Sequence, residues 1–187
     1  MAVVNRLAPN VSNYDAQPRI LTSGYIAGAN DTVSIATMAT VATDSIGSTY
    51  RFGFIPSGVR LEDIQIMNDA TTAGVWDVGV YGNTQQPCTS VTGGVTTVTA
   101  AGAVPATDAQ EIFNDAGVST AAAQATWASI YRPSILGAGY LAANCVLRVW
   151  ELLGFDKDPF YEFHLVLTST TAPTAVGNIT VQWTWVR

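Results

Sequence analysis

The chain's one histidine lies close to four carboxylates in the stretch WELLGFDKDPFYEFHLVLT, from Trp150 to Thr168. Histidine and carboxylate side chains can together hold a metal ion or exchange a proton with a substrate. The grouped residues are Glu151, Asp156, Asp158, Glu162 and His164. This is the grouping whose residue types come nearest to a metal or catalytic site.

A metal site is the less favoured interpretation of this grouping. Asp156 and Asp158 could hold calcium, because carboxylate oxygens are its usual ligands. The EF-hand loop pattern is absent, however, and an Asp before a proline, as in Asp158–Pro159, commonly serves a local turn. Two cysteines and one histidine at wide spacing make no zinc site. We therefore predict no metal and no other cofactor.

A catalytic site would depend on His164. No G-x-S-x-G nucleophile elbow precedes it. The glycines of GYIAGAND, Gly24 and Gly28, lack the third glycine, the lysine and the helix of a phosphate-binding loop. Glu162 and His164 lie two apart on a predicted strand, and we interpret them as part of a solvated strand face. The sequence thus predicts that the chain is not an enzyme.

The grouping spans the end of a helix and the start of a strand. Gly154 occupies the position of a left-handed residue that ends a helix, and a proline follows it. The preceding apolar residues have helical spacing: Val146, Val149, Trp150 and Leu153. FYEFHLVLT then alternates, with Tyr161, Phe163, Leu165 and Leu167 on one side, and ITVQWTWV places Ile179, Val181, Trp183 and Trp185 on one face. We predict that these two strands form a terminal antiparallel hairpin whose apolar faces line the core.

The patterns of three other stretches also predict strands. In VRLEDIQIMND the apolar positions change parity, which predicts a β-bulge near Glu62–Asp63. VWDVGVYGN is a strand with its apolar residues inside, and the Thr/Val-rich stretch that follows could pair as a hairpin around Gly93–Gly94. TVSIATMATV places Val33, Ile35, Thr37, Ala39 and Val41 on one face. Short strands separated by turns predict an all-β fold, an antiparallel β-sandwich or jelly roll with one short helix and an extended N-terminal arm.

Composition excludes several classes of function. Only 12% of the residues are charged and the net charge is −6, with eight Lys and Arg that do not cluster, so we predict no direct nucleic-acid binding. No apolar run approaches the ~20 residues that span a bilayer, and we predict no membrane contact. We expect synthesis in a cytosol, where Cys88 and Cys145 are better interpreted as free thiols than as a disulfide.

The tryptophans are interpreted as core residues. All five fall on predicted inner faces: Trp76, Trp127, Trp150, Trp183 and Trp185. A carbohydrate-binding module stays open as an alternative, because exposed, stacked tryptophans would suit it. Burial of Trp183 and Trp185 would argue against that alternative.

The apolar residues among the first thirty have neither helical nor strand spacing. We therefore divide the chain into an arm, residues 1–30, and a β-sandwich domain, residues 31–187. A short strand is expected around Ile20–Ile26. The apolar residues of the arm have no periodicity that would bury them in the sandwich, so we predict that they contact a partner by adding to the edge of a sheet. These predicted interaction residues are Val3, Val4, Leu7, Val11, Tyr14, Ile20 and Leu21.

Three stretches resemble head decoration, or cement, proteins of tailed bacteriophages: TYRFGFIPSGVRLEDIQIMNDATTAGVWDVGVY, VWELLGFDKDPFYEFHLVLT and TAPTAVGNITVQWTWV. The motifs are structural and carry no catalytic residue. The resemblance implies a virion protein that is made in the host bacterial cytoplasm, binds the major capsid protein on the capsid exterior and stabilises contacts between capsomers. It also implies a homo-oligomer, a dimer or trimer. A phage tail or neck component is the alternative within this class.

Overall fold

The computed structural model of the 187-residue chain describes residues 3–8, 11–12, 26–28, 31–71, 73–103, 118–129 and 147–187. In these ranges the strands are β1 (Asn5–Leu7), β2 (Ile26–Gly28), β3 (Asp31–Ala39), β4 (Thr49–Pro56), β5 (Arg60–Asn68), β6 (Val75–Gly82), β7 (Cys88–Thr92), β8 (Val95–Thr99), β9 (Val118–Ser119), β10 (Gln124–Ser129), β11 (Glu162–Thr171) and β12 (Asn178–Val186). The helix α1 covers Val149–Leu152.

The strands form two five-stranded sheets and one separate hairpin. The first sheet has the order β1-β4-β11-β6-β9, the second has the order β10-β5-β12-β3-β2, and β7 pairs with β8. From β3 to β6, and again from β9 to β12, consecutive strands alternate between the two sheets. This connectivity is that of a jelly roll, with β7–β8 inserted and β1 and β2 added at edges. The predicted all-β sandwich with one short helix is confirmed.

The two sheets bury apolar residues between their inner faces. The predicted inward positions of β6, β11 and β12 are buried, including Trp76, Phe163 and Trp183. The ring of Trp76 meets that of Tyr50 edge to face, at 4.9 Å between centroids. Burying aromatic side chains in such packing supplies much of the stability of a β-sandwich.

The change of parity in β5 is a β-bulge. Trp185 pairs with Leu61 and Thr184 pairs with Asp63, so Glu62 is the extra residue. Leu61 and Ile64 therefore both face the core. The predicted bulge is confirmed, and it gives β5 one continuous apolar face.

The predicted pairing of the last two strands is wrong. β11 pairs with β4 and β6 in the first sheet, whereas β12 pairs with β3 and β5 in the second. The segment 172–177 crosses from one sheet to the other instead of making a hairpin turn. Each strand is central in its own sheet, and their apolar faces meet in the core as predicted.

Two glycine-containing turns have the conformation that the sequence predicts. The helix is shorter than predicted. Gly93 and Gly94 have φ of 57° and 76°, the conformation that a two-residue turn between β7 and β8 requires. Gly154 has φ of 72° and ends α1 as predicted. Arg148 is extended, so the helix begins at Val149, and Val146, the first residue of the predicted helical spacing, lies outside the described residues.

Trp127 does not lie on an inner face. Its side chain on β10 is 39% exposed, in contrast with Trp183 and Trp185, which are buried. The register of β10 against β5 shifts between Gln124 and Ala128, and this irregularity changes which side chains point inward. Val33, Ile35, Thr37 and Ala39 share a face of β3 as predicted, and that face is the outer one.

Candidate functional site

The carboxylates of the acidic stretch do not converge, because three of them bond to different turns and Glu162 lies on β11. Glu151 accepts a hydrogen bond from the backbone of Arg148 at 2.7 Å, and Asp156 accepts one from Gly94 at 2.7 Å. Asp158 accepts hydrogen bonds from Ser57 Oγ at 2.5 Å and from the Phe160 backbone at 2.8 Å. In the described part of the chain no three His, Cys, Asp or Glu residues are placed to hold a metal ion.

His164 is buried, and the interpretation of its face as solvated is wrong. The ring packs edge to face against Phe54 at 4.7 Å between centroids, and Arg51 Nη1 lies 3.1 Å from Nδ1. Burial, with the charge of Arg51 added, lowers the pKa of His164 to about 3. The imidazole is therefore neutral. Because Nδ1 accepts a hydrogen bond from Arg51, the single proton of the neutral ring is on Nε2. This nitrogen is buried and has no hydrogen-bond partner.

Arg51 is a buried cation on the same outer face of the first sheet. Its Nη1 donates to the carbonyl of Gly82 at 2.8 Å, and its Nη2 donates to that of Gly102 at 2.5 Å. The guanidinium also lies 5.2 Å from the centre of the Tyr81 ring. Oriented carbonyl dipoles and an aromatic face compensate the lost hydration of this charge. An arginine inside an apolar strand is the sequence signal for this cluster, and the spacing of the acidic residues does not reveal it.

The N-terminal residues pack on this chain's own sandwich at that cluster. β1 pairs in parallel with β4, from Asn5 opposite Thr49 to Leu7 opposite Arg51. The side-chain oxygen of Asn5 accepts hydrogen bonds from Thr49 Oγ1 at 2.9 Å and from Arg51 Nε at 3.1 Å. The arm thus continues the first sheet by one strand.

An ion pair holds β1 against the loop between β3 and β4. Arg6 donates to both carboxylate oxygens of Asp44, at 2.5 and 2.7 Å, and the hydroxyl of Tyr50 donates to the same carboxylate. The hydrogen bond from Arg6 holds the pKa of Asp44 below its usual range. Burial, together with the contact to Asp44, raises the pKa of Tyr50 to about 12. We call Arg6, Asp44 and Tyr50 the arm clasp.

An exposed apolar patch lies beside the clasp. Val3 is 66% exposed and its methyl groups stand over Gly47, while the neighbouring Ile46 is 63% exposed. Gly47 has φ of 86° and brings the loop close beneath Val3. We call Val3 and Ile46 the arm patch.

The predicted interaction residues of the arm differ in exposure. Val3 is exposed, Val4 and Leu7 are half-buried, and Val11 is buried. The short parallel pairing of β1 explains the partial burial of Val4 and Leu7, and such pairing leaves no periodicity in the sequence. Tyr14, Ile20 and Leu21 lie outside the described residues, as does most of the predicted strand around Ile20–Ile26.

The tryptophan platform of a carbohydrate-binding module is not presented by β12. Trp183 and Trp185 stack at 6.5 Å within the core, and Trp183 Nε1 donates to the carbonyl of Phe54 at 3.2 Å. Cys88 is a buried free thiol at the start of β7, and burial raises its pKa to about 11. Cys145 is outside the described ranges.

Comparisons with known proteins give one distant likeness. No known family model matches the chain, and no curated protein sequence matches it. A chain of the cyanophage Pam1 capsid asymmetric unit is similar over 90% of this chain and 92% of its own length, with 15% identity and a TM-score of 0.36. A likeness this distant assigns no function. Within the described residues, no helix is long and apolar enough to cross a bilayer.

Proposed function

We propose that this chain is a structural protein of a phage virion, a decoration or cement protein that binds the outer surface of the head. The observation that carries the proposal is the arm, which is clasped to its own sheet by Arg6 and Asp44 and exposes Val3 beside that clasp. The three stretches that resemble phage decoration proteins support it, because they fall on the central strands of both sheets and on α1.

The arm provides two ways to bind the major capsid protein. β1 is the edge strand of the first sheet, and an edge strand directs alternate backbone NH and C=O groups away from its neighbour. A strand of the capsid protein can pair there, while the arm patch fills an apolar pocket beside it. One copy bound across two capsomers would stabilise their contact.

The arm clasp lowers the cost of this binding. Ordering a free segment upon binding costs conformational entropy, and a segment already held in its bound conformation avoids much of that cost. The bidentate contact of Arg6 with Asp44 fixes both the position and the direction of β1. The capsid would therefore meet a rigid edge rather than a free tail.

In this proposal the chain has no catalytic, metal or nucleic-acid chemistry. A jelly roll carries no chemistry of its own, so function resides in the surface that it presents. With a net charge of −6 the protein suits the outside of a head rather than the packaged DNA. Synthesis in the bacterial cytoplasm and assembly on the head exterior complete the proposal.

Binding to phage heads that lack the protein tests the role of the arm patch. Val3→Asp places an unpaired carboxylate in the proposed contact, and we expect binding at least ~100-fold weaker. The matched control is Val95→Asp on β8, since Val95 is equally exposed at 64% and lies in the separate hairpin. The control should bind as the wild type does. Equal affinities of Val3→Asp and wild type would contradict the proposed arm contact.

A further inference from the structure

One guanidinium joins three parts of the chain that are far apart in the sequence. Arg51 lies on β4 and its side chain is buried. Its Nε donates a hydrogen bond to the side-chain oxygen of Asn5 on β1 at 3.1 Å. Its Nη1 donates to the carbonyl of Gly82 at 2.8 Å, and its Nη2 donates to that of Gly102 at 2.5 Å. The arm and these two carbonyls are therefore bound by a single group.

The two carbonyls belong to the two legs of the inserted β7–β8 hairpin. The chain leaves the first sheet where β6 ends at Gly82, and it returns through a tight turn after β8. The Gly82 amide donates to the Ala103 carbonyl at 2.7 Å, and the Gly102 amide donates to the Asn83 carbonyl at 2.7 Å. Arg51 thus binds both legs at the point where they meet. We call residues 82–83 and 100–103 the hairpin base.

The guanidinium transmits a displacement from the arm to the hairpin base. It is planar and directs its donors at fixed angles, so its three nitrogen atoms cannot move independently. A buried N–H group that loses its acceptor must find another acceptor or reach water. When β1 leaves the sheet, Nε loses the oxygen of Asn5, and rotation of the guanidinium toward water withdraws Nη1 and Nη2 from the hairpin base.

We propose that Arg51 couples the arm to the hairpin base, so that paired β1 holds the hairpin closed and release of β1 loosens it. Such coupling is reciprocal, because two elements that share one group change each other's stability by the same free energy. A partner that fixes β1 would therefore also stiffen the β7–β8 hairpin. This inference goes beyond the proposed attachment to heads, since it concerns the chain alone and holds for any partner of the arm.

Hydrogen exchange of the purified chain tests the coupling from the side of the arm. Asn5→Leu removes the acceptor of Arg51 Nε at an exposed position. We expect the protected amides of Gly82 and Gly102 to exchange about 5-fold faster or more. The matched control is Asn178→Leu, the same change at the exposed first residue of β12 in the second sheet. In this control the two amides should exchange as in the wild type.

Two glycine substitutions test the coupling from the side of the hairpin. Gly102 and Gly94 both have φ of 76°, so replacing either by alanine introduces the same backbone strain. Only Gly102 lies in the hairpin base, whereas Gly94 is at the hairpin tip. The reporter is the Ala8 amide, which donates to the main-chain carbonyl of Arg51 at 2.8 Å beside β1. It should exchange about 5-fold faster or more in Gly102→Ala and as in the wild type in Gly94→Ala.

Three results would overturn the coupling. The first is unchanged exchange at the hairpin base in Asn5→Leu, and the second is equal exchange of the Ala8 amide in Gly102→Ala and Gly94→Ala. The third is an equal acceleration of amides throughout both sheets, which would report a loss of global stability instead. Circular dichroism checks that each variant is folded. Since these measurements use no phage heads, the coupling can fail while attachment to heads holds, and the reverse.

Discussion

Arg51 and His164 show how a buried pair sets its own protonation state. A buried arginine keeps its charge, so a neighbouring imidazole is held neutral by repulsion as well as by burial. The neutral ring then accepts a hydrogen bond from the guanidinium. Since Arg51 also bonds to Asn5, the pair contributes to the position of the arm.

The low pKa of His164 predicts a loss of stability in acid. The pKa rises from about 3 in the folded chain to its ordinary value of 6.5 on unfolding, so the unfolded chain binds more protons between these values. Stability conferred by the neutral ring is present above pH 6.5 and is lost as pH falls toward 3. Each pH unit below roughly pH 6 should cost about 1.4 kcal/mol of unfolding free energy through this residue.

Denaturant unfolding of wild type and His164→Gln at several pH values measures this effect. Glutamine keeps an acceptor for Arg51 but does not titrate, so the carboxylates contribute equally to both proteins. The difference in unfolding free energy should shift in favour of the variant as pH falls from 6 to 4, by about 1.4 kcal/mol per unit. A difference that does not change with pH would show that His164 titrates normally.

At the scale of elements, β1 is a short strand at the edge of the first sheet. β1 has three residues and pairs on one side only. The arm clasp therefore contributes much of the free energy that keeps β1 paired with the sheet. Asp44→Asn removes the charge that Arg6 and Tyr50 share. We expect the unfolding free energy to fall by about 1–3 kcal/mol, since the buried hydroxyl of Tyr50 loses its ionic partner.

Limited trypsin digestion reports whether β1 is released. Cleavage after Arg6 should be several-fold faster in Asp44→Asn than in the wild type, because a strand must leave the sheet to enter the protease. Asp156→Asn is the control, since Asp156 bonds to the tip of the β7–β8 hairpin and not to the arm. Identical cleavage of both variants and the wild type would show that the clasp does not hold the strand.

The sequence predicted local features of the strands well and their partners poorly. The parity change around Glu62, the paired glycines Gly93–Gly94 and the helix end at Gly154 each follow from backbone geometry within a few residues. The pairing partner of β12 does not follow from local geometry. The alternation of apolar residues shows which side chains share a face, but not which strand lies beside them. For the same reason the sequence could not show that His164 is covered.

The sequence indicated the arm but not the contacts that hold it. The apolar arm was identified from its composition, and the exposure of Val3 is compatible with a contact residue. The clasp was not predicted, because Arg6 and Asp44 are far apart in the chain and an isolated charge pair has no sequence signature. Burial of Val11 likewise depends on tertiary packing that no local pattern encodes.

At the scale of the whole molecule, two surfaces are kept apart by the sandwich. The first sheet carries β1 and the arm patch, and the second carries the exposed Val33 and Ile35 on its outer side. Attachment to a head through β1 and the arm patch would use the first sheet only.

Electron cryomicroscopy of virions with and without this protein would locate the chain on the particle. We expect difference density for the jelly roll on the outer surface of the head, repeated across the lattice, with β1 and Val3 turned toward the capsid protein. Density confined to the tail or neck, or virions without the chain, would contradict it.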